Sequence, residues 1–544
     1  MLGGYGGFGA RLSRRLAARG HRLLVAGRNA ERAQAFAAEL DGAAGVAADR
    51  DHDLGPLLAE RRPALVIDAA GPFDRDRYAV PRACIAAGVS YLDLADGRAF
   101  VSGVGALDEA ARAAGVAVVA GASSVPALSG AAVRRLAQDL DRVASVDISI
   151  SASNRAGAGP SVARAMLGQV GRPVRVWRGR RWDEAIGWRE LRRERYAVPG
   201  QPPLGRLLAQ ADVPDLDLLP ARLPGRPAVA FHAGTELAWQ TLALWALSWP
   251  VALGLVRSGR VFAGLAGRLQ RLTARWGGDR SAMMVTLTGE RAGIGVARRW
   301  TLLASGGDGP EIPTLAAVLV AERILAGLVE PGARDAGTLL ELSDFDPLLA
   351  KLAVTTDVDE IPLPPALYAR VMGSAFDRLP PLVRRLHAPV CDAGWAGEAT
   401  VTRGRSLLAR LIATTMRFPR SGTFPLHVHI RAEDHGERWT RRFADQAFTS
   451  RFTRSGPHLV ERFGPLRFRF ALDGDEEGLA MRFRGWSAFG LPLPRALGPR
   501  VEAREWEEAG RFRLHVAVGV PMIGPVIGYD GWLRPSEEDR CRTP

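Results

Sequence analysis

Residues 3–9 read GGYGGFG and run directly into ARLSRRLAARG at 10–20. Gly4, Gly6 and Gly9 keep the GxGxxG spacing, and the apolar residues after them recur with helical period as far as Gly20, a residue that stops helices. Each glycine serves a different end. The first allows a tight turn, the second lets a pyrophosphate approach bare backbone, and the third lets the helix pack closely on a strand. Tyr5, Gly7 and Phe8 complete the loop and count with it as cofactor contacts. Three glycines alone are a weak signal. They gain weight from HRLLVAGR at 21–28, an apolar run of the length of a buried parallel strand.

From there the unit repeats. A helix at 30–40, a strand GVAAD at 45–49, a strand within ALVIDAAGPF at 64–73, SYLDLADG at 90–97, a helix at 105–114 and VAVVAGASSVPALSG at 116–130 follow one another with further helices between them. That order specifies a doubly wound parallel sheet of the Rossmann kind, whose ligands sit beyond the carboxyl ends of the strands. The residues at those ends are Arg28 and Asn29, Asp49, the bend Ala70-Gly71-Pro72-Phe73, Asp93 and Asp96, and Ser123 and Ser124. Arg28 stands where NAD-specific proteins carry an acid for the ribose 2′-hydroxyl. Arginine there suits the 2′-phosphate of NADP and makes NAD the lesser expectation, the bland alternative being a solvated surface arginine. Asp49 either serves the cofactor or caps the next helix. The bend at 70–73 is expected along the nicotinamide half. Asp93 and Asp96 are candidates for proton transfer, against plain turn chemistry at Asp96-Gly97, and Ser123 and Ser124 are candidates for substrate contact.

One element is short. A Rossmann unit delivers its chain into the glycine turn from a central strand, yet only Met1 and Leu2 precede Gly3. The first strand therefore reads as missing, and the expectation is a functional gene product that begins upstream of Met1 with a Val/Ile/Leu-rich strand, because the two neighbouring strands would otherwise be left unpaired.

Taken together, GGYGGFG, AGR, DAAGPF, ACIAAGVSYLDL and GASSVPALSG resemble the saccharopine-dehydrogenase-like oxidoreductases, and the resemblance continues through SNRAGAGPSVARAML (153–167) to GDGPEIPTLAAVLVAERILAG (307–327). It covers about the first 330 residues. It implies an NAD(P)-dependent oxidoreductase in which the helix at 313–327 packs back on the Rossmann domain. The namesake's chemistry is associated with a lysine and a histidine as acid and base, whereas the one lysine of this chain is Lys351, so lysine biosynthesis is not carried over.

The 544 residues are too many for a single core. The expected division is a Rossmann domain at 1–129, an α+β substrate domain at 130–330, a linker at 331–361 rich in acids and prolines, and a mostly antiparallel β domain at 362–536. In this last part FPLHVHI, LVERFGPLRFRFAL and RFRLHVAVGVP alternate with period two and predict a sandwich or half-barrel with an apolar inner face, able to hold a lipid or bulky apolar molecule. FGLPLPRALGPR at 489–500 resembles an uncharacterised bacterial domain of unknown function. Within the substrate domain, LAWQTLALWALSWPVALGLV (237–256) carries no charge and is followed by Arg257, Arg260, Arg268, Arg271 and Arg275. A spanning helix, a segment lying in a membrane surface, and a helix buried in the core or in a homodimer interface are the three readings; all three keep it out of water.

The formal charge of +14 comes from arginines scattered from Arg11 to Arg542, which excludes the clustered cations of a nucleic-acid binder. Cys84, Cys391 and Cys541 lack metal or disulfide spacing, Cys84 reading as a packed core thiol, and the histidines (His427 and His429 on one strand, His387 and His435 elsewhere) form no ligand pattern, so no metal is expected. With no signal peptide at the start, a cytoplasmic location is expected, with peripheral contact at the inner membrane through 237–256. The resulting expectation is hydride transfer from NADPH to a carbonyl or activated double bond of an apolar, lipid-derived small molecule. The alternative is a non-catalytic nucleotide-binding sensor with a C-terminal apolar-ligand domain.

Overall fold

The computed structural model describes residues 1–71, 73, 78–155 and 160–536; Pro72 and Cys541 lie outside the described residues. Four parallel strands, ordered Gly332–Asp335, Ala117–Ala120, Ser90–Asp93 and Leu65–Asp68, face a second parallel pair, Leu23–Gly27 and Ala43–Ala47. Between the two groups lies Leu2, bridged in parallel to Ala26 on one side and Asp68 on the other. Its amide donates to the Ile67 carbonyl (2.8 Å), its carbonyl accepts from Ala69 (3.0 Å), and the Ala26 amide donates to the Met1 carbonyl (2.9 Å). The place expected to lack its strand is thus held by a two-residue stub, and the neighbouring strands find partners there. Leu12 and Leu16 of the helix Gly7–Ala17 are buried against this sheet. The helix Ile312–Leu325 packs beside Gly7–Ala17, tied by Arg15 to Glu311 (2.7 Å) and by Arg19 to Glu322 (2.9 Å), as the resemblance implied.

A second, seven-stranded sheet follows, in the order Val354–Pro362, Ile294–Ala304, Ser281–Arg291, Arg142–Ala152, Ala228–Thr235, Leu204–Gln210 and Leu191–Tyr196. It is mixed, since Arg142–Ala152 and Ala228–Thr235 run parallel while the other neighbours are antiparallel. The stretch 331–361, expected to be a linker, instead supplies a strand to each sheet: Gly332–Asp335 pairs with Ala117–Ala120, and Val354–Pro362 with Ile294–Ala304. The acids that suggested a linker sit on an edge strand, where charge discourages pairing with another chain.

The C-terminal part closes completely. Ten antiparallel strands, from Asp392–Arg403 to Gly524–Pro535, form a barrel sealed by pairing of its first and last members (Ala399 opposite Gly531), so neither a sandwich nor a half-barrel describes it. Alternate residues such as Leu426, Val428 and Ile430 point inward and are buried, which is the period-two pattern expressed as a barrel wall.

The apolar segment departs most from expectation. The helix Ala238–Ala252 buries Thr241, Ser248 and Val251, while Trp239 is 45 % exposed, Leu253 70 % and Leu255 77 %. It continues into Ala263–Thr273, where Leu265 and Leu272 are also exposed. The segment is therefore not sequestered within this chain. Being apolar on every side, it offers no stripe that selects an inner face; of its polar residues, Thr241 accepts from the Thr235 amide (3.2 Å) and Ser248 donates within the helix to the Trp245 carbonyl (2.6 Å). Among the described residues no helix is long and apolar enough to cross a membrane.

Candidate dinucleotide site

The loop from Gly3 to Gly9 turns the chain from the Leu2 stub into the helix Gly7–Ala17, and the Gly6 amide closes the turn on the Gly3 carbonyl (2.8 Å). A Cβ at Gly9 would lie 2.1 Å from the Gly3 carbonyl oxygen, so only glycine permits the helix to start this close to the turn. Gly4 is buried and its carbonyl accepts from the Ser13 hydroxyl (2.9 Å), while Gly6 and Gly7 are exposed. Unpaired amides at the helix start and exposed backbone before it make a cradle for a pyrophosphate. The residues present fit a dinucleotide, which when bound would supply the hydride.

At the end of Leu23–Gly27 the Tyr5 ring lies on Gly27, where a Cβ would come within 2.3 Å of it, and the Tyr5 hydroxyl accepts from the Asn29 amide (3.1 Å). The Arg32 guanidinium covers the ring at 5.2 Å. Asn29 spends its side chain as the cap of the helix Ala30–Ala37, accepting from the Arg32 amide (2.8 Å). Arg28 is exposed beside it, with no ion pair among the described residues. Asp49 is engaged locally, accepting from the Asp51 amide (3.2 Å) and standing 3.4 Å from His52. Phe8 is half-buried against the core.

The floor of the cleft holds residues that carry no signature in the sequence. Asp68, fully buried at the end of Leu65–Asp68, accepts from the Ala70 amide (2.9 Å) and pairs with Arg50 (3.1 Å), which also donates to the Ala70 carbonyl (2.6 Å) and stacks on Phe73 (4.6 Å). Arg50 thereby fixes the Ala70-Gly71 bend against the glycine turn, where Ala70 is 3.0 Å from a Cβ position on Gly3. Phe73 is buried against Phe100 (5.5 Å) and belongs to the core beneath the bend. Asp93, on the next strand, is fully buried; its Oδ1 accepts from the Gly121 (2.7 Å) and Ala95 (2.9 Å) amides, tying together the chain that follows two neighbouring strands. Burial pushes Asp68 and Asp93 upward, Asp93 to about 7, and the phenol of Tyr91 beside them well above its usual value. Asp96 is exposed, Ser123 buried and Ser124 half-buried.

Across the cleft, Arg98 binds Asp217 (2.7 Å), Asp212 (2.8 Å) and the Arg175 carbonyl (2.7 Å), and Ser129 donates to buried Asp215 (2.6 Å). These contacts lock the parallel sheet to the mixed one. Within the mixed sheet, burial opposes the charge of Asp147, but the Arg192 guanidinium and His232 hold its carboxyl well below the usual range. Of the histidines named from the sequence, His429 binds Asp392 (2.6 Å) and His427 the Gly179 carbonyl (2.9 Å), docking the hairpin Pro173–Arg178 and Arg181–Ile186 on the barrel. Cys84 is a buried thiol raised to about 12, and no metal-holding cluster occurs among the described residues.

Residues 1–119 match the family described as the saccharopine dehydrogenase NADP binding domain. The N-terminal part of the chain is thus similar to a family of nicotinamide-dinucleotide-binding domains. With it the protein falls in the NAD(P)-dependent oxidoreductase class. Residues 379–533, most of the barrel and the turn before it, match a domain of unknown function, DUF4166. No curated protein matches the chain. Among solved structures it is similar to GenD2 from gentamicin A biosynthesis in complex with NAD (16 % identity, 54 % of this chain and 69 % of that one, TM-score 0.27). It is also similar to the putative oxidoreductase yvaA of Bacillus subtilis (13 %, 60 % and 89 %, TM-score 0.28) and to the dehydrogenase MviM of Clostridium difficile (8 %, 64 % and 96 %, TM-score 0.30).

Proposed function

We propose that the chain is a reductase that prefers NADP(H) and passes hydride to a carbonyl or activated double bond of an apolar, lipid-derived small molecule. The observation that carries the cofactor preference is Arg28, exposed at the end of Leu23–Gly27 next to the glycine loop. Both cofactors gain equally from the helix N-terminus. A planar guanidinium adds two parallel bonds to a 2′-phosphate, worth on the order of 1.5–3 kcal/mol, or roughly ten- to a hundredfold in affinity. Arg28→Ala is expected to remove most of that preference and leave NAD(H) affinity unchanged, as read by calorimetric titration of both cofactors; equal wild-type affinities would leave Arg28 a surface arginine. Turnover of NADPH with lipid enones and ketones tests the reaction itself, and binding without turnover would favour the sensor reading.

An apolar substrate is supported by the surface built from Ala238–Ala252 and Ala263–Thr273. Residues 237–278 contain no acid, so the exposed Trp239, Leu253, Leu255 and Leu265 are flanked by cations alone, among them Arg257, Arg260, Arg268 and Arg275. Apolar side chains with an arginine rim suit the surface of an anionic bilayer, at which such a substrate resides. The triple change Leu253→Ser, Leu255→Ser, Leu265→Ser should leave thermal stability unchanged, these side chains being exposed, and weaken co-sedimentation with phosphatidylglycerol vesicles by about tenfold or more. Equal sedimentation of the wild type with and without such vesicles would remove the membrane from the proposal.

A further inference from the structure

The barrel encloses a cavity of about 350 Å³, inside the range of roughly 300–1,000 Å³ found for small-molecule sites. Its wall is aromatic and aliphatic, with Phe463, Phe468, Phe470, Met481 and Trp486 on one side and Val516 and Val518 on another. The helix Leu407–Thr415 lies at one end, where Ile412 and Met416 line the cavity while Leu408 and Leu411 face outward, and Leu497 both lines the cavity and is exposed. That end is the entrance.

A cation, Arg441, interrupts the apolar wall. In the strand Gly436–Phe443 the inward residues are Glu437, which accepts from the Trp439 indole (2.8 Å), then Trp439, Arg441 and Phe443, and the Arg441 guanidinium sits 5.1 Å from the centre of the Trp439 ring, 5.6 Å from Phe448 and 5.7 Å from Phe452. Its Nη1 donates to the Ser450 hydroxyl (3.1 Å). The nearest carboxylate oxygen, on Glu461, is 3.8 Å away, too far for a hydrogen bond. A guanidinium has five N–H groups, and among the described residues Ser450 meets one of them. Placing a cation in an apolar cavity is costly unless its donors are met, so the remaining donors of Arg441 are the natural seat for an oxygen brought by a ligand.

The charge around the cavity selects that ligand. Glu461, whose carboxyl burial pushes up, and Glu505, which binds His387, line the same space, so a ligand carboxylate would meet two acidic side chains beside the arginine, and a ligand cation would meet Arg441. We propose that the barrel binds a neutral, mostly hydrocarbon molecule of medium length that carries one acceptor oxygen, such as a ketone, aldehyde or ester carbonyl. The oxygen accepts from Arg441, and the hydrocarbon body lies against the phenylalanine wall toward the entrance beside Leu407–Thr415. The site is remote in sequence from the glycine loop and shares no lining residue with it, and its occupancy does not depend on the reaction proposed for the dinucleotide domain.

The test uses the full chain without cofactor. Nile red serves as the reporter, and methyl decyl ketone, dodecane and laurate serve as competitors of similar length. The ketone is expected to displace the dye about tenfold or more effectively than either dodecane or laurate, the difference that a hydrogen bond to a charged group makes. Ala503→Trp, which places a large ring among the lining residues, is expected to abolish displaceable dye binding. Arg441→Met combined with Glu461→Gln removes both charges together and so leaves no unpaired ion; it is expected to keep dye binding and bring the ketone down to the level of dodecane. Laurate binding as well as the ketone, displaceable dye binding that survives Ala503→Trp, or an undiminished ketone preference in the double variant would each overturn the proposal. Should the double variant fail to fold, the ranking of the three competitors on the wild type and the Ala503→Trp result decide it.

Discussion

Gly9→Ala is expected to abolish dinucleotide binding and to lower the stability of the whole NADP-binding domain. The new methyl carbon would sit 2.1 Å from the Gly3 carbonyl oxygen and 2.9 Å from the Gly3 carbonyl carbon, contacts to backbone that no rotamer relieves. Relief requires the helix Gly7–Ala17 to retreat from the turn. That movement disturbs Leu12 and Leu16 in the core and the Ser13 bond to the Gly4 carbonyl, and overpacking of this sort costs about 1–3 kcal/mol or more. Gly7→Ala is the matched control. A Cβ at Gly7 meets nothing within 4 Å, so the fold should tolerate it, and any loss there reports crowding of the bound cofactor alone. Thermal unfolding with and without NADPH, together with fluorescence titration, separates the cases. A Gly9→Ala protein that binds NADPH with wild-type affinity would show that the loop is not the cofactor seat.

What the sequence disclosed, and what it withheld, follows from how local each determinant is. The glycine loop is legible because three residues within nine carry the whole constraint. The barrel strands are legible because inward Leu426, Val428 and Ile430 alternate with outward neighbours. Closure of the barrel is not, since it depends on Ala399 meeting Gly531, and pairing at such separation leaves no trace in a period-two pattern. Arg50 is silent in the sequence for a similar reason: it follows Ala43–Ala47 while its partners Asp68, Ala70 and Phe73 follow Leu65–Asp68, and the two strand ends are brought together only with Leu23–Gly27 and Leu2 laid between them. The helix Ala238–Ala252 misleads in the opposite direction, because a uniformly apolar segment reveals that water is unfavourable but not what replaces it. The edge strand Val354–Pro362 misleads because TTDVDE reads as a polar connection until its alternation is set against Ile294–Ala304.

Asp93 is expected to give the fold a marked pH dependence. Its ordinary value is 3.8, and complete burial raises it to about 7 even though the Gly121 and Ala95 amides favour the ionised form. Below pH 3.8 the folded and unfolded chains both hold the proton, and its contribution to stability is at its maximum. Between there and pH 7 the unfolded chain releases the proton while the folded chain keeps it, so stability falls as pH rises and levels off once the folded group ionises. A displacement from 3.8 to about 7 corresponds to as much as roughly 4 kcal/mol. Asp68, also raised by burial, adds to the same slope, with Arg50 opposing it. Asp93→Asn keeps a carbonyl oxygen to accept from Gly121 and Ala95, cannot ionise, and can donate to the Tyr91 hydroxyl, whose phenol is buried beside it. The variant is therefore expected to be as stable as the wild type near pH 4 and more stable than it above pH 7, with a flatter profile between. Urea unfolding across that interval gives the comparison. A variant whose stability falls with pH as steeply as the wild type would mean that Asp93 is already ionised in the folded protein, and that the amides of Gly121 and Ala95 outweigh its burial.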